Sequence, residues 1–370
     1  MTATAGRTGL LGARLVAVCA AWGVFWGSWS ALLPAIREQI HASPADLGFA
    51  LAAVPIGAIP AMALTGRLIR GRERLALAFC TALFALTTAG IGLVGSPVQL
   101  GLALLVLGAT SGALDIALNV ATGRAERETG RRLFQPVHAA FPIAVIVAAP
   151  ATGLARQLGL APVQVLLAIA VIVLAAAAFA LGLPVGRGVG EVEPHARSAW
   201  RRALVLGALA ACALVIENSV EQWSVLLLED FRSAPVLLAS AAPAAYMLAL
   251  TAGRLVVQAL PPVPMRLLSL VAALGGGGGI VLAGLAPYAW LSLVGFALTG
   301  LALGPLVPAM LSKAAVGDDR GTLVSAVSTV SYTGFVVSPL LVAGLSATFT
   351  LPVALALLGL LVVPLLISSL

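Results

Sequence analysis

The stretch "PVGRGVGEVEPHARSAWRR", residues 184–202, is the longest polar interval in a chain of 370 residues. On both sides the sequence is a succession of apolar runs. Of all residues, 61% are hydrophobic and only 9% are charged, and the mean hydropathy is +1.08. A soluble domain carries about 25% charged residues. So few charges cannot solvate a folded surface of this size, so lipid must be the main solvent. A polar interval near the midpoint then divides the chain into two membrane halves of similar length.

A helix needs about 20 apolar residues to cross a bilayer. Breaks at charges, prolines and glycine clusters predict twelve spans. They fall near 12–33, 47–66, 75–95, 99–121, 134–155, 161–183, 203–227, 235–257, 267–286, 288–310, 322–345 and 350–369. The expected organisation is all-α and polytopic: six helices in 1–183, a cytoplasmic linker over 184–202, and six helices in 203–370. The first apolar run follows Arg7 and Arg14, as a signal peptide would. It is too long for that, and Trp22, Phe25, Trp26 and Trp29 make no small-residue cleavage site, so it reads as a retained span.

Orientation follows from lysine and arginine. With the N terminus inside, the inner segments hold 18 of the 21 basic residues, and the outer segments hold only Arg37, Arg156 and Arg232. The same distribution accounts for the net charge of +7 without nucleic acid as a partner. Cys19, Cys80 and Cys212 lie in apolar runs and form neither a disulfide framework nor a metal-ligand spacing.

The halves repeat one another. "WSALL" at Trp29–Leu33 recurs as "WSVLL" at Trp223–Leu227. "ALTGRL" at Ala63–Leu68 recurs as "ALTAGRL" at Ala249–Leu255. In each half the first motif ends the first span and the second motif ends the second. Twelve spans in two repeated halves around an inner loop resemble the plan of the major facilitator superfamily (MFS) over essentially the whole chain. The likeness is to a bacterial, sugar-permease-like branch. Its span-four Asp-x-x-x-Asn is matched by Asp115 and Asn119. Its Phe-x-x-x-His-x-x-Phe start of span five is matched by Phe134, His138 and Phe141. Its Glu…Trp-Ser stretch in span seven is matched from Glu217 to Ser224. The superfamily's loop after span two usually carries an Asp that locks to Arg. Here "LTGRLIRGRER" keeps Gly71 and the arginines, with Arg67 and Arg72 beside it, but has no Asp. The span-five antiporter motif keeps only Pro150 and Gly153. The resemblance implies gating at the inner loops, here by Arg67, Gly71, Arg72 and, in the second half, Arg254.

Of fourteen acidic residues, only Asp115, Glu217 and Glu221 fall within the predicted spans, beside the only two asparagines, Asn119 and Asn218. A carboxylate in hydrocarbon costs about 2.5–3.5 kcal/mol on the insertion scale and commonly marks an ion or proton path. Asp115 and Asn119 are four residues apart, hence on one helix face, extended by Ser111. Glu217 and Glu221 have the same spacing. By the resemblance, spans four and seven belong to opposite halves and both border the central cavity. Two readings stand for Asp115: a transport role, or local pairing through His138 or an inner arginine. His138 is expected near Asp115, where such a pair shares a proton. Trp22 and Trp26 lie deep in span one, for packing or for stacking on a ring-shaped solute, and Trp29 is placed to join an interfacial belt. Ser325, Ser328 and Tyr332 make a polar stripe on span eleven.

Glycine pairs at Gly23–Gly27 and Gly108–Gly112 predict close helix contacts. The run of five at Gly275–Gly279 reads as a hinge or a tight contact. No Gly-Lys-Ser/Thr follows any glycine loop, which argues against an ATP-driven pump. The opposed Asp pair, His-Glu-x-x-His or Ser–His dyad of an intramembrane protease is not seen, so an enzyme is not expected. The expected function is a secondary transporter of the bacterial inner membrane, acting as a monomer without a cofactor. Both termini are cytoplasmic, and a small polar solute moves by proton-coupled symport through a path that includes Trp26, Asp115, Asn119, His138, Glu217, Asn218, Glu221 and Tyr332. The alternatives are a drug or metabolite efflux permease and a transport-inactive receptor.

The topology is directly testable. In a background with the native cysteines replaced, Pro97→Cys should react with a membrane-impermeant thiol reagent in intact cells, and Gly190→Cys should react only after lysis. The opposite pattern reverses the orientation.

Overall fold

The computed structural model describes residues 2–69, 71–130, 133–183, 200–315 and 322–369. Most of the linker therefore lies outside the described residues. Within them are twelve helices long and apolar enough to cross a membrane. They are α1 (Leu10–Gln39), α2 (Pro44–Leu68), α3 (Glu73–Ile91), α4 (Pro97–Thr129), α5 (Phe134–Gln157), α6 (Pro162–Ala180), α7 (Arg201–Arg232), α8 (Val236–Ala259), α9 (Met265–Leu285), α10 (Ala289–Ala314), α11 (Ala326–Thr348) and α12 (Leu351–Ser368). Each overlaps the span expected at its place in the sequence.

The ends have local causes. Before α4, Ser96 is extended and its hydroxyl accepts the Gln99 N–H at 3.3 Å, with Pro97 in the first turn. At its far end Gly130 takes φ 68°, the left-handed conformation that glycine adopts without penalty, and its N–H bonds the Glu126 carbonyl at 2.8 Å. At 33 residues α4 is about 50 Å long, well beyond the ~30 Å hydrocarbon core. Its last turns, with Arg124, Glu126, Arg127 and Glu128, therefore extend past the lipid. There the Glu126 carboxylate accepts the N–H groups of Leu133 and Phe134, the latter at 2.9 Å, and so caps α5.

The described chain forms two compact units. One comprises Met1–Ser43 with Ala53–Glu191, the other Pro44–Ala52 with Val192–Leu370. In the first, the predicted glycine contacts are made. Gly23 and Gly27 of α1 sit on the α5 backbone at Phe141 and Val145, and Gly57, Gly108 and Gly112 bring α2 and α4 into backbone contact. Phe25, Trp29 and Phe84 fill the interior, with Phe25 edge-on to Phe84 at 5.0 Å. In the second unit, α8 meets α10 at Gly253, Gly300 and Gly304, and α9 meets α10 at Gly279 and Gly295. A hydroxyl pair, Ser219 and Ser338 at 2.9 Å, joins α7 to α11. The five-glycine run makes the tight contact of the two readings. Gly276, Gly277 and Gly279 pack on Leu303, Val362 and Thr299. The residues Ala272–Gly276 form a π-turn that interrupts α9.

These contacts follow from the solvent. Lipid tails are as apolar as leucine, so helices associate through close packing and interhelical hydrogen bonds. Large residues such as Phe79, Leu86, Leu102, Val147 and Val171 accordingly point outward.

A Cβ added at Gly108 would overlap the Val54 carbonyl, whereas one at Gly90 would meet nothing within 4 Å. Gly108→Ala is expected to destabilise the protein by about 1–3 kcal/mol, read as a lower melting temperature of the purified protein. Gly90→Ala should leave it unchanged or raise it. Equal behaviour of the two variants would mean that the α2–α4 contact is not tight.

Candidate functional site: an acidic face in each unit

In the first unit α4 presents Ser111, Asp115 and Asn119 one turn apart. Asn119 Nδ2 donates to Asp115 Oδ1 at 2.8 Å. One turn away, Ser111 Oγ accepts from Trp22 Nε1 of α1 at 2.9 Å. The Trp22 ring stands edge-on to Phe141 of α5 at 5.1 Å. Three helices thus converge on this face. Asp115 and Asn119 are half-buried. His138 lies within electrostatic reach of Asp115, as the sequence predicted, and its Nδ1 sits 3.0 Å from the Phe134 carbonyl. Its ring stacks on Phe134 at 5.7 Å. Buried Cys19, one turn from Trp22, is also in reach of Asp115. The hydrogen bond to Asp115 thus comes from its own helix, and the neighbouring helix brings an imidazole within electrostatic reach.

Trp26 is half-buried and edge-on to Phe25 at 5.2 Å. Trp29 is not interfacial: it is fully buried and stacked on Phe25 at 6.1 Å. Its counterpart in the repeat, Trp223, is buried in the same way. A position near a helix end does not distinguish an outward face from an inward one, and here packing won.

In the second unit α7 carries Glu217, Asn218 and Glu221, all half-buried. Across from them stands Tyr246 of α8, which the sequence reading missed. It is fully buried between α7 and α10. Its hydroxyl is close enough to Glu217 to interact and lies in reach of Glu221, but meets neither in good hydrogen-bond geometry. Arg254, two turns further along α8, is in electrostatic reach of both carboxylates, but its Nε is committed to the Gly304 carbonyl at 3.0 Å. Tyr332 is 40% exposed and its ring packs on Phe335. Ser328 is half-buried, and the side chain of Ser325 lies outside the described residues.

In the loop after α2, Arg67 and Arg72 are exposed, and Gly71 turns with φ 73°. The acid that this loop lacks is supplied from the next helix. Glu73 opens α3, is buried, and accepts the Gly71 N–H at 3.1 Å and Arg124 at 3.0 Å. Arg124 in turn holds Glu128 at 2.8 Å. The ion pair therefore exists, displaced along the chain. Glu73 is the single acid within the basic run "RGRER", the one signal in the sequence that pointed to it.

Residues 15–317 match the model of the Major Facilitator Superfamily. The chain belongs to that family. It is 27% identical over 344 residues to an uncharacterised MFS-type transporter of Yersinia pestis, covering 90% of this chain and 88% of that one. It is 27% identical over 128 residues, about a third of either chain, to an uncharacterised transporter of Sinorhizobium fredii. Among solved structures, a mutant form of the nucleoside transporter NupG superposes with a TM-score of 0.80 at 14% identity, covering 97% of this chain and 98% of that one. A bacterial homologue of the human lysosomal transporter Spinster, inward-facing and unoccupied, gives 0.77 at 13% identity, covering 98% and 95%. At these identities the structures show the fold.

Loss of Arg124 would leave Glu73 buried beside the chain turn without its counter-charge. A double-mutant cycle with Glu73→Gln and Arg124→Gln should give a coupling energy of about 0.5–3 kcal/mol in thermal stability. Additive single effects would show that the pair holds nothing together.

Proposed function

We propose that this family member is a proton-coupled secondary transporter of a small polar solute, working by alternating access in the bacterial inner membrane with both termini in the cytoplasm. The distribution of lysine and arginine supports that orientation. The observation that carries the proton-coupled reading is the setting of Asp115. It lies inside a membrane span, half-buried, with one hydrogen bond from Asn119 and His138 in electrostatic reach. A purely architectural acid is held by several donors or a fixed counter-ion. Asp115 has one neutral amide donor on its own helix and an exposed imidazole in electrostatic reach, not a fixed guanidinium. That arrangement tolerates both the charged and the neutral carboxyl, as a carrier that loads and releases a proton requires. Trp22, fixed by Ser111 and Phe141, walls the same face and offers its indole edge to a solute.

The test uses purified protein in proteoliposomes, with a solute selected from a panel by thermal shift. Asp115→Asn keeps the shape and mimics the neutral acid. It should lower accumulation driven by a pH gradient at least tenfold while leaving solute exchange at zero gradient partly active. Undiminished accumulation in the variant removes Asp115 as the proton carrier. A variant that does not fold assigns the acid to the architecture.

A further inference from the structure

The second unit holds two intraspan carboxyl groups and one arginine in reach of both. Glu217 and Glu221 are one turn apart on α7, so as carboxylates they repel each other. The positive side chain in reach of both is Arg254, and its Nε is already bonded to the Gly304 carbonyl where α10 breaks before Pro305. With both acids ionised, two carboxylates against one guanidinium leave one excess negative charge inside a membrane span, where an unbalanced charge is costly and a proton or a cationic ligand relieves it. Beside them the Tyr246 hydroxyl is fully buried and aimed at Glu217, without a partner in good hydrogen-bond geometry. The hydroxyl is held in place by the tight seat of Tyr246 against Gly300 of α10, and so is left to a ligand that can meet it better. The cluster therefore lacks one thing: a group that carries a single positive charge and donates hydrogen bonds in several directions.

We propose that Glu217, Glu221 and Tyr246 form a site within the second unit for one protonated amine of the transported solute. This deepens the transport reading by giving the solute a chemical class: a small polar molecule bearing a primary ammonium group. An ammonium has three N–H donors. It matches two carboxylates and one hydroxyl, and its charge completes the count left open by Arg254. Charge-assisted hydrogen bonds of this kind are about twice as strong as neutral ones. Tyr246 is then a recognition residue and Arg254 the fixed charge that lets a single ammonium, rather than two, neutralise the cluster. A bound ammonium restores neutrality inside the span, so solute binding itself removes the charge that opposes movement of this face away from water.

The experiment measures binding on the full-length wild-type protein in lipid nanodiscs. A hydrophobic carbodiimide modifies the carboxyls, and mass spectrometry follows the modification of Glu217 and Glu221. Methylammonium is the probe, compared with sodium and with tetramethylammonium at equal ionic strength. The site predicts protection by methylammonium at concentrations at least tenfold lower than by either other cation, because sodium lacks N–H donors and tetramethylammonium lacks them and is larger. Tyr246→Phe should remove most of that preference while leaving the carboxyls modifiable. Equal protection by all three cations would reduce the cluster to an unspecific cation site. No protection by any would leave it to protons alone. Either result overturns the proposal. The assay reads binding without transport. A protein that is protected by methylammonium yet moves no solute would sink the transport reading and leave this site intact.

Discussion

A carboxylate inside hydrocarbon needs a donor, a counter-charge or a proton, and the polar architecture of this protein is arranged around that need. Each unit solves it differently. In the first, Asp115 receives one amide hydrogen bond from Asn119 and faces the imidazole of His138. In the second, Glu217 and Glu221 share one arginine and a buried tyrosine hydroxyl that meets neither in good hydrogen-bond geometry. At the start of α3, by contrast, Glu73 is provided for by Arg124 and the Gly71 N–H. The contrast separates the roles. A structural acid is satisfied at rest. The intraspan acids are left short, and a group left short is one that can gain a proton or a ligand.

The apolar architecture serves those acids by fixing the helices that bear them. Glycine at positions 57, 108 and 112 sets α4 against α2, which fixes the height and rotation of Asp115. Gly23 and Gly27 set α1 against α5 and so place Trp22 between Ser111 and Phe141. In the second unit Gly300 and Gly304 seat α10 on the backbone of Tyr246 and Leu250, which holds the tyrosine ring toward α7. Because lipid supplies no hydrophobic drive for helix association, such small-residue seams carry much of the packing. The π-turn at Ala272–Gly276 and the break at Gly304–Pro305 lie in the same unit, on helices that pack on one another.

The twelve spans were legible because the solvent imposes a length and a composition on each of them, and charges or prolines mark most breaks. Even "GLAPYAW", where no charge stands, ends a helix at Leu285. The two acidic faces were legible because a period of four residues puts Asp115 with Asn119 and Glu217 with Glu221. What escaped has a physical reason in each case. The pairing of Glu73 with Arg124 joins residues 51 apart in sequence, and no local pattern encodes which of several arginines approaches. Tyr246 sits in an apolar run where an aromatic reads as filler, and its importance lies in the acids beside it. Trp29 was placed at an interface because indoles favour that level of the bilayer. Rotation about the helix axis, set by Phe25 and Phe84, turned it inward instead.

The central claim is that the intraspan acids change protonation as part of the working cycle. Infrared difference spectroscopy of the reconstituted protein, recorded between acidic and alkaline bulk pH, observes the carbonyl stretch of protonated carboxyl groups directly and requires no known solute. The account predicts pH-dependent bands characteristic of carboxylic acids in an apolar setting, with one component missing in Asp115→Asn and a different one missing in Glu217→Gln. A spectrum without such bands, or one unchanged in both variants, would contradict it.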